Sequence, residues 1–336
     1  MSTSATSLPG RRRLLRLAST LILAPSLQGV RAQTPDGPQC VAPARAGGGF
    51  DLSCRLLQRS LGLVRPGEPA LRVTHMPGGI GAAAYNTFVT QRPAEGDTLV
   101  AFSGGSLLSL AQGRFGHYDV NDVRWVGTLG MDYGVLAVRQ ESSYGHLRDL
   151  IDALKRDPAQ VLFGGSGTIG GQDWMKAALV ARMAGVAPRE FRYVGFEGGG
   201  EAFTALRTGY VSVLPGGTSE AVAHGRGNAL RVLAVLAPSR LPGPLAGVPT
   251  AREQGFDIVW PNVRGFYMGP QVADADFERW IGHLRQLHGR PEFTRLRAEA
   301  GLYPFARFGE ALHRYVYTAV IDYTRLAQQF ELAPPQ

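Results

Sequence analysis

Five glycine-rich turns recur along this chain, each where a short β-rich run gives way to a segment with helical character. They are Ala46-Gly47-Gly48-Gly49-Phe50-Asp51, Met76-Pro77-Gly78-Gly79-Ile80-Gly81, Ser103-Gly104-Gly105-Ser106, the stretch from Gly164 to Gly171, and Gly198-Gly199-Gly200-Glu201. Glycine permits positive φ and brings backbone amides close to a bound group without an intervening Cβ. A helix that starts at such a turn presents unpaired N–H groups and the positive end of its dipole, which suits an anion. A series of them separated by αβ units predicts several helix N-termini converging on one cleft.

Between the turns, β-rich runs at 71–75, 98–102, 124–129, 135–139, 161–163, 192–196, 211–214, 231–236 and 266–268 alternate with helical runs at 52–63, 147–156, 174–184, 202–208 and 220–224. The alternation predicts an α/β fold of layers built on mainly parallel sheets. The last third changes character, with helices expected over 274–287, 291–300 and 308–326; Pro291 suits the first turn of the second. A division follows in which residues 33–138 and 260–336 form a discontinuous first domain around a second domain at 139–259. Two chain crossings, near 135–141 and 257–266, make a hinge with a cleft between the lobes.

The N-terminus reads as an export signal over residues 1–32: a basic start at Arg11-Arg12-Arg13, an apolar run from Leu17 to Leu27, and a small-residue cleavage site ending at Ala32. Arg11-Arg12 also fits a twin-arginine signal, so both export routes stay open. The formal charge of +8 misleads, because five arginines lie in that segment and no acid does. The mature chain keeps about +3, with its basic residues scattered, which gives no reason to propose a nucleic-acid partner. The two cysteines, Cys40 and Cys54, would pair in an oxidising compartment and tie the first strand to the first helix; the alternative is two small buried thiols. No histidine lies near them to complete a metal site.

Taken in order, Ala46 to Asp51, Met76 to Ala82, Gly165 to Trp174, Phe196 to Ala202, Arg231 to Val235 and Gly247-Val-Pro-Thr-Ala-Arg-Glu-Gln-Gly255 resemble the extracytoplasmic solute receptors of tripartite tricarboxylate transporters, in particular the tricarboxylate-receptor subclass. The resemblance covers essentially the whole mature chain. It implies a two-lobed periplasmic binding protein of type II-like fold, without cofactor, that closes on a small carboxylate such as citrate and delivers it to a permease of one large and one small membrane subunit. Carried over by position, Gly48, Gly49 and Asp51 with Gly78, Gly79 and Gly81 form one jaw; Ser166, Gly167 and Thr168 with Gly198, Gly199 and Gly200 form the other. Asp51 would repel an anionic ligand, so helix capping or the anchoring of a water suits it better than direct contact. Arg45, Arg264 and Tyr267 are candidates for a second carboxylate, while Gly104 and Gly105 serve a tight turn equally well.

Two enzyme readings compete. Gly165-Ser-Gly167-Thr-Ile-Gly170 satisfies G-x-G-x-x-G, yet it lies midway along an exported chain and no acid ends the next strand, which counts against a nucleotide cofactor. Ser166 lacks the G-x-S-x-G frame, and the seven histidines are dispersed, so neither a hydrolase triad nor a catalytic metal is expected. A receptor that signals to a membrane sensor is the alternative output of the same binding fold.

Overall fold

Two strands buried along nearly their whole length, one of them 16 residues long, organise the molecule. A computed structural model describes residues 37–332 except Arg226 and Asn228; the expected export signal lies outside the described residues. The elements run β1 (Gln39–Ala42), α1 (Gly49–Leu61), β2 (Arg72–His75), α2 (Ala82–Thr90), β3 (Thr98–Ser103), α3 (Gly104–Ala111) and β4 (Arg124–Arg139). They continue with α4 (Leu147–Arg156), β5 (Leu162–Ser166), α5 (Gln172–Met183), β6 (Arg192–Phe196), α6 (Gly199–Arg207), α7 (Thr218–His224) and β7 (Leu230–Leu236). The chain closes with β8 (Pro261–Met268), α8 (Asp274–His288), α9 (Pro291–Glu299) and α10 (Glu310–Gln329).

One sheet has the order β2-β1-β3-β8-β4-β7, and β5 pairs with β6 in a second. Strands β1, β2 and β3 are mutually parallel, as are β5 and β6, but β8 is antiparallel to β3 and β4, and β7 is antiparallel to β4. The sheet is therefore mixed rather than mainly parallel. Strands β4 and β8 pair antiparallel from Arg124 opposite Met268 to Tyr133 opposite Pro261.

The two runs expected at 124–129 and 135–139 are one strand of 16 residues. Its register passes from β8 to β7 between Tyr133 and Gly134, after bulges between Trp125 and Gly127 and between Thr128 and Gly130. The run expected at 211–214 does not form a ladder. Val213 bridges Phe163 and Leu214 bridges Ala137, which joins β5 to β4, and Pro215-Gly216-Gly217 then turns the chain into α7.

The apolar side chains form several clusters on either face of the strands. Leu99, Ala101, Phe266 and Met268 pack one face of the first-lobe strands, and Val100, Phe102 and Tyr267 the other. Beyond the register change, Leu136 and Val138 face one core while Val135 and Ala137 face another. In α8 the buried side chains are Phe277, Trp280, Ile281, Leu284 and Leu287, an apolar stripe at helical spacing laid on the first lobe. Helix α10 buries Leu312 and Val316 in the first lobe, and Phe330 just beyond it packs edge-on against Trp174 of the second, so the C-terminal segment spans both.

Cys40 in β1 and Cys54 in α1 are joined by a disulfide with a Cα separation of 5.7 Å, and both are fully buried. It fixes the first glycine turn from both sides. Replacing both cysteines by alanine should lower stability by about 3 kcal/mol, the entropic value for a loop of this size, read as a shift of the urea midpoint.

Candidate functional site

A cavity of about 410 Å³ opens between two of the five glycine turns. Gly78, Gly79 and Ile80 form one wall, and Gly167 and Thr168 form the facing wall, with Pro43 and Phe196 also lining it. The first wall needs glycine, because Gly78 and Gly79 have φ of 147° and 57°. The turn Gly79–Gly81 is a single 3-10 turn whose leading amides have no partner within it. Gly167 also has positive φ, and a Cβ there would lie 2.8 Å from Ile80 Cδ1 across the gap. A larger cavity of about 530 Å³ lies against α7 and β7, walled mainly by aliphatic groups such as Val222, Leu230 and Leu245. None of the five glycine-rich turns lines it, so the smaller cavity is the candidate site.

Among the described residues of the lining, Arg114 is the one basic side chain, and it follows α3. Its guanidinium donates to Thr168 Oγ1 at 3.1 Å and to the Ile169 carbonyl at 2.6 Å, and neighbouring Gln112 donates to the Gly170 carbonyl at 2.9 Å. The end of α3 thus holds the 168–170 turn of the opposite lobe. Both Arg114 partners are neutral, and among the described residues no acid pairs with it. Two acids share the lining: Glu201 is tied to Arg45 at 3.4 Å and accepts from the Glu197 amide, whereas the Glu197 carboxylate has no partner among the described residues. Sequence reasoning did not reach Arg114, which lies in an ordinary turn, Gln112-Gly113-Arg114-Phe115-Gly116.

The remaining expected residues are brought close together but face other groups. Gly48 meets Gly199 and Gly47 meets Gly200, while Gly49 faces Arg264 and Gly198 faces Arg45; a Cβ on Gly48 would lie 3.1 Å from the Gly199 nitrogen. The space between them is filled by Glu220, whose Oε1 accepts from the Gly49 amide at 3.0 Å. Gly81 packs toward Phe115 and Ser106. The Ser166 amide and hydroxyl both donate to Asp173 Oδ2, at 2.7 Å each. Ser103 and Ser106 cap α3, and the Gly104 amide donates to Asn262, so that helix start is satisfied by its own chain.

Asp51 is buried and accepts from the Gly47 amide at 2.9 Å, Arg55 Nε at 2.8 Å and His75 Nε2 at 2.8 Å. Burial pushes its carboxyl up, but these hydrogen bonds outweigh it and hold the group below the usual carboxylate range. Its geometry is that of a brace for the first turn. Arg264 is buried and donates through Nε (3.0 Å) and Nη2 (2.6 Å) to Asp132 Oδ2, with its guanidinium flat against the Gly49 Cα. Asp132 also accepts from the Thr218 hydroxyl (2.5 Å), the Ser219 hydroxyl (2.8 Å) and the Ser219 amide (3.2 Å). Tyr267 is enclosed by Tyr85 and Trp125. Among the described residues no group of three or more His, Cys, Asp or Glu is placed to hold a metal ion, and no helix is long and apolar enough to cross a membrane.

The family model described as tripartite tricarboxylate transporter family receptor matches residues 91–332. The chain belongs to that family. It is a family of solute-binding receptors, not of enzymes. No curated protein sequence matches the chain. Among solved structures, one described as a periplasmic transporter is similar to this receptor with TM-score 0.79 at 17% identity, covering 90% of this chain and 99% of the other. MatC from Rhodopseudomonas palustris, solved with bound malate, gives TM-score 0.74 at 19% identity over 86% and 98% of the two chains. Rpa4515 of R. palustris, solved with adipate, gives 0.77 at 20% identity over 90% and 100%. These similarities show the two-lobed periplasmic binding protein fold for this receptor.

Asp132→Asn should cost about 3–5 kcal/mol, because it removes the acid paired with the buried guanidinium of Arg264. Equilibrium urea unfolding measures it, and a loss below about 1 kcal/mol would show that the pair is not the brace its geometry describes.

Proposed function

We propose that this receptor captures a small organic di- or tricarboxylate in the cavity between Gly78–Ile80 and Gly167–Thr168 and delivers it to a tripartite transporter permease with one large and one small membrane subunit. The observation that carries the reading is Arg114, a cation in the cavity wall bonded only to neutral oxygens, so its charge is available to a ligand carboxylate. The Thr168 hydroxyl and the amides of the Gly79 turn are the accompanying donors, some of them acting through ordered water. Bound malate and adipate in the two R. palustris proteins point to the same ligand chemistry. Citrate belongs to the candidate set, but Glu197 in the same wall repels an added carboxylate, which ranks a dicarboxylate ahead of it.

In this reading residues 1–32 are an export signal cleaved near Ala32, and the receptor works in the periplasm. The lobes comprise residues 33–138 with 260–336, and residues 139–259. They hinge where β4 and β8 cross, close to the register change at Tyr133 and Gly134. Closure brings Gly167 against Ile80 and Arg114 against the 168–170 turn. Asp51 serves the site as a brace, without touching the ligand.

A thermal-shift screen of the purified mature protein against malate, adipate, citrate, amino acids and nicotinamide cofactors tests this, with calorimetry on any hit. Ligand at 100 times its dissociation constant should add about 2.7 kcal/mol of stability. Arg114→Ala should weaken a carboxylate hit by about tenfold to a hundredfold, the range for one charge-assisted hydrogen-bonding group. Gly167→Val should remove binding at a folding cost of about 1–3 kcal/mol for the strained backbone. A cofactor response without any carboxylate response would overturn the reading.

A further inference from the structure

Two charged side chains one turn apart at the start of α5 are buried outside the ligand cavity. Asp173 and Lys176 are 2% and 1% exposed, and Lys176 Nζ lies 2.8 Å from Asp173 Oδ1. A lysine is almost never fully buried unless its charge is met, and a well-packed apolar pair would often stabilise such a spot at least as well. What the ionic pair adds is direction, because each end holds a different piece of backbone. Asp173 Oδ2 accepts from both the amide and the hydroxyl of Ser166, at 2.7 Å each, and Lys176 Nζ donates to the Gly216 carbonyl at 2.6 Å.

Both ends of this pair lead to places that matter for binding. Ser166 ends β5, and the next two residues, Gly167 and Thr168, form one wall of the cavity. Gly167 and Gly170 have φ of 78° and 82°, a backbone free to take several courses, so the path of this turn is set by what anchors it. Arg114 and Gln112 hold residues 168–170; Asp173 holds the entry, together with the bond from the Gly167 amide to the Phe196 carbonyl at 2.8 Å. At the other end, the Gly216 carbonyl also accepts from the Val135 amide at 3.0 Å, and a Cβ on Gly134 would lie 2.9 Å from Lys176 Cδ. Lys176 therefore rests on β4 where the pairing of that strand passes from β8 to β7.

We propose that Asp173 and Lys176 are positioning residues for ligand binding: they tie the Gly167–Thr168 wall to β4 at Gly134 and Val135, so that the Thr168 hydroxyl is held where a ligand carboxylate meets it together with Arg114. The proposal rests on reading the cavity between Gly78–Ile80 and Gly167–Thr168 as the ligand site. Neither side chain is in the lining of that cavity, so any effect on affinity passes through Ser166 and Thr168. A residue that only stabilises the fold lowers the unfolding midpoint and leaves the dissociation constant of the folded protein unchanged. A positioning residue changes that constant, and its effect shrinks once the group it positions has been removed.

A double-mutant cycle tests this by calorimetry with malate, or with adipate where malate gives no response, on variants shown to be folded by urea unfolding. Asp173→Asn and Lys176→Met should each weaken binding about tenfold, and Ser166→Ala, which removes one of the two contacts to Asp173, about threefold. Thr168→Val should by itself weaken binding about tenfold, and adding Asp173→Asn or Ser166→Ala to it should cost less than about twofold more. Unchanged dissociation constants in Asp173→Asn and Ser166→Ala, unchanged binding in Thr168→Val, or effects that simply multiply in the double variants would overturn the proposal while leaving the carboxylate reading in place. A wild-type protein that answers to none of malate, adipate and citrate would overturn that reading and the proposal with it. Should Asp173→Asn or Lys176→Met fail to fold, the cycle of Ser166→Ala with Thr168→Val decides by itself, because Ser166 is only half-buried and alanine keeps the amide bond to Asp173.

Discussion

The buried pair of Asp132 and Arg264 is the interaction on which the other contacts between the lobes depend. It joins β4 to β8, the two strands that pass between the lobes, at the point where β4 changes partners. Burying both charges is costly unless their hydrogen-bonding capacity is met. Asp132 meets it with donors from Arg264, Thr218 and Ser219, which also fixes the start of α7. With α7 fixed, Glu220 reaches the Gly49 amide and His224 the Gly47 carbonyl.

This arrangement gives the glycines a second purpose. A Cβ on Gly49 would run into the Arg264 guanidinium, one on Gly199 into Glu220, and one on Gly217 would approach Asp132 Oδ2 at 2.7 Å. At these positions the missing side chain makes room for buried ionic groups of the same chain. At Gly78, Gly79 and Gly167 the backbone takes positive φ, and these turns line the cavity that Arg114 also borders. The same residue type at the same kind of strand-to-helix turn thus yields a packed joint in one place and an open cavity in another.

Much of the architecture was legible because it depends on local chemistry. The alternation of β-rich and helical runs gave the α/β order, and the helix expected over 274–287 is α8, which buries Phe277, Trp280, Ile281, Leu284 and Leu287. The segments at 124–129 and 135–139 read as two strands because Gly130-Met131-Asp132-Tyr133-Gly134 has weak strand propensity; pairing with β8 and β7 on either side overrides it. Parallel pairing was over-expected for a related reason: strand direction depends on how often the chain crosses between lobes, which no local window records.

The sequence by itself determined where the chain turns, which segments are helices and which family the receptor belongs to, since glycine conformational freedom, periodicity and motif order are written locally. Only the tertiary structure decided which helix starts face a cavity and which face the protein's own acids. That choice depends on side chains far away in sequence: Glu220 lies 171 residues from the amide it accepts from, and Arg114 lies 54 residues from the Thr168 hydroxyl it holds. A helix N-terminus attracts any carboxylate that packing delivers to it, and which carboxylate arrives is settled by how the two lobes fold against each other.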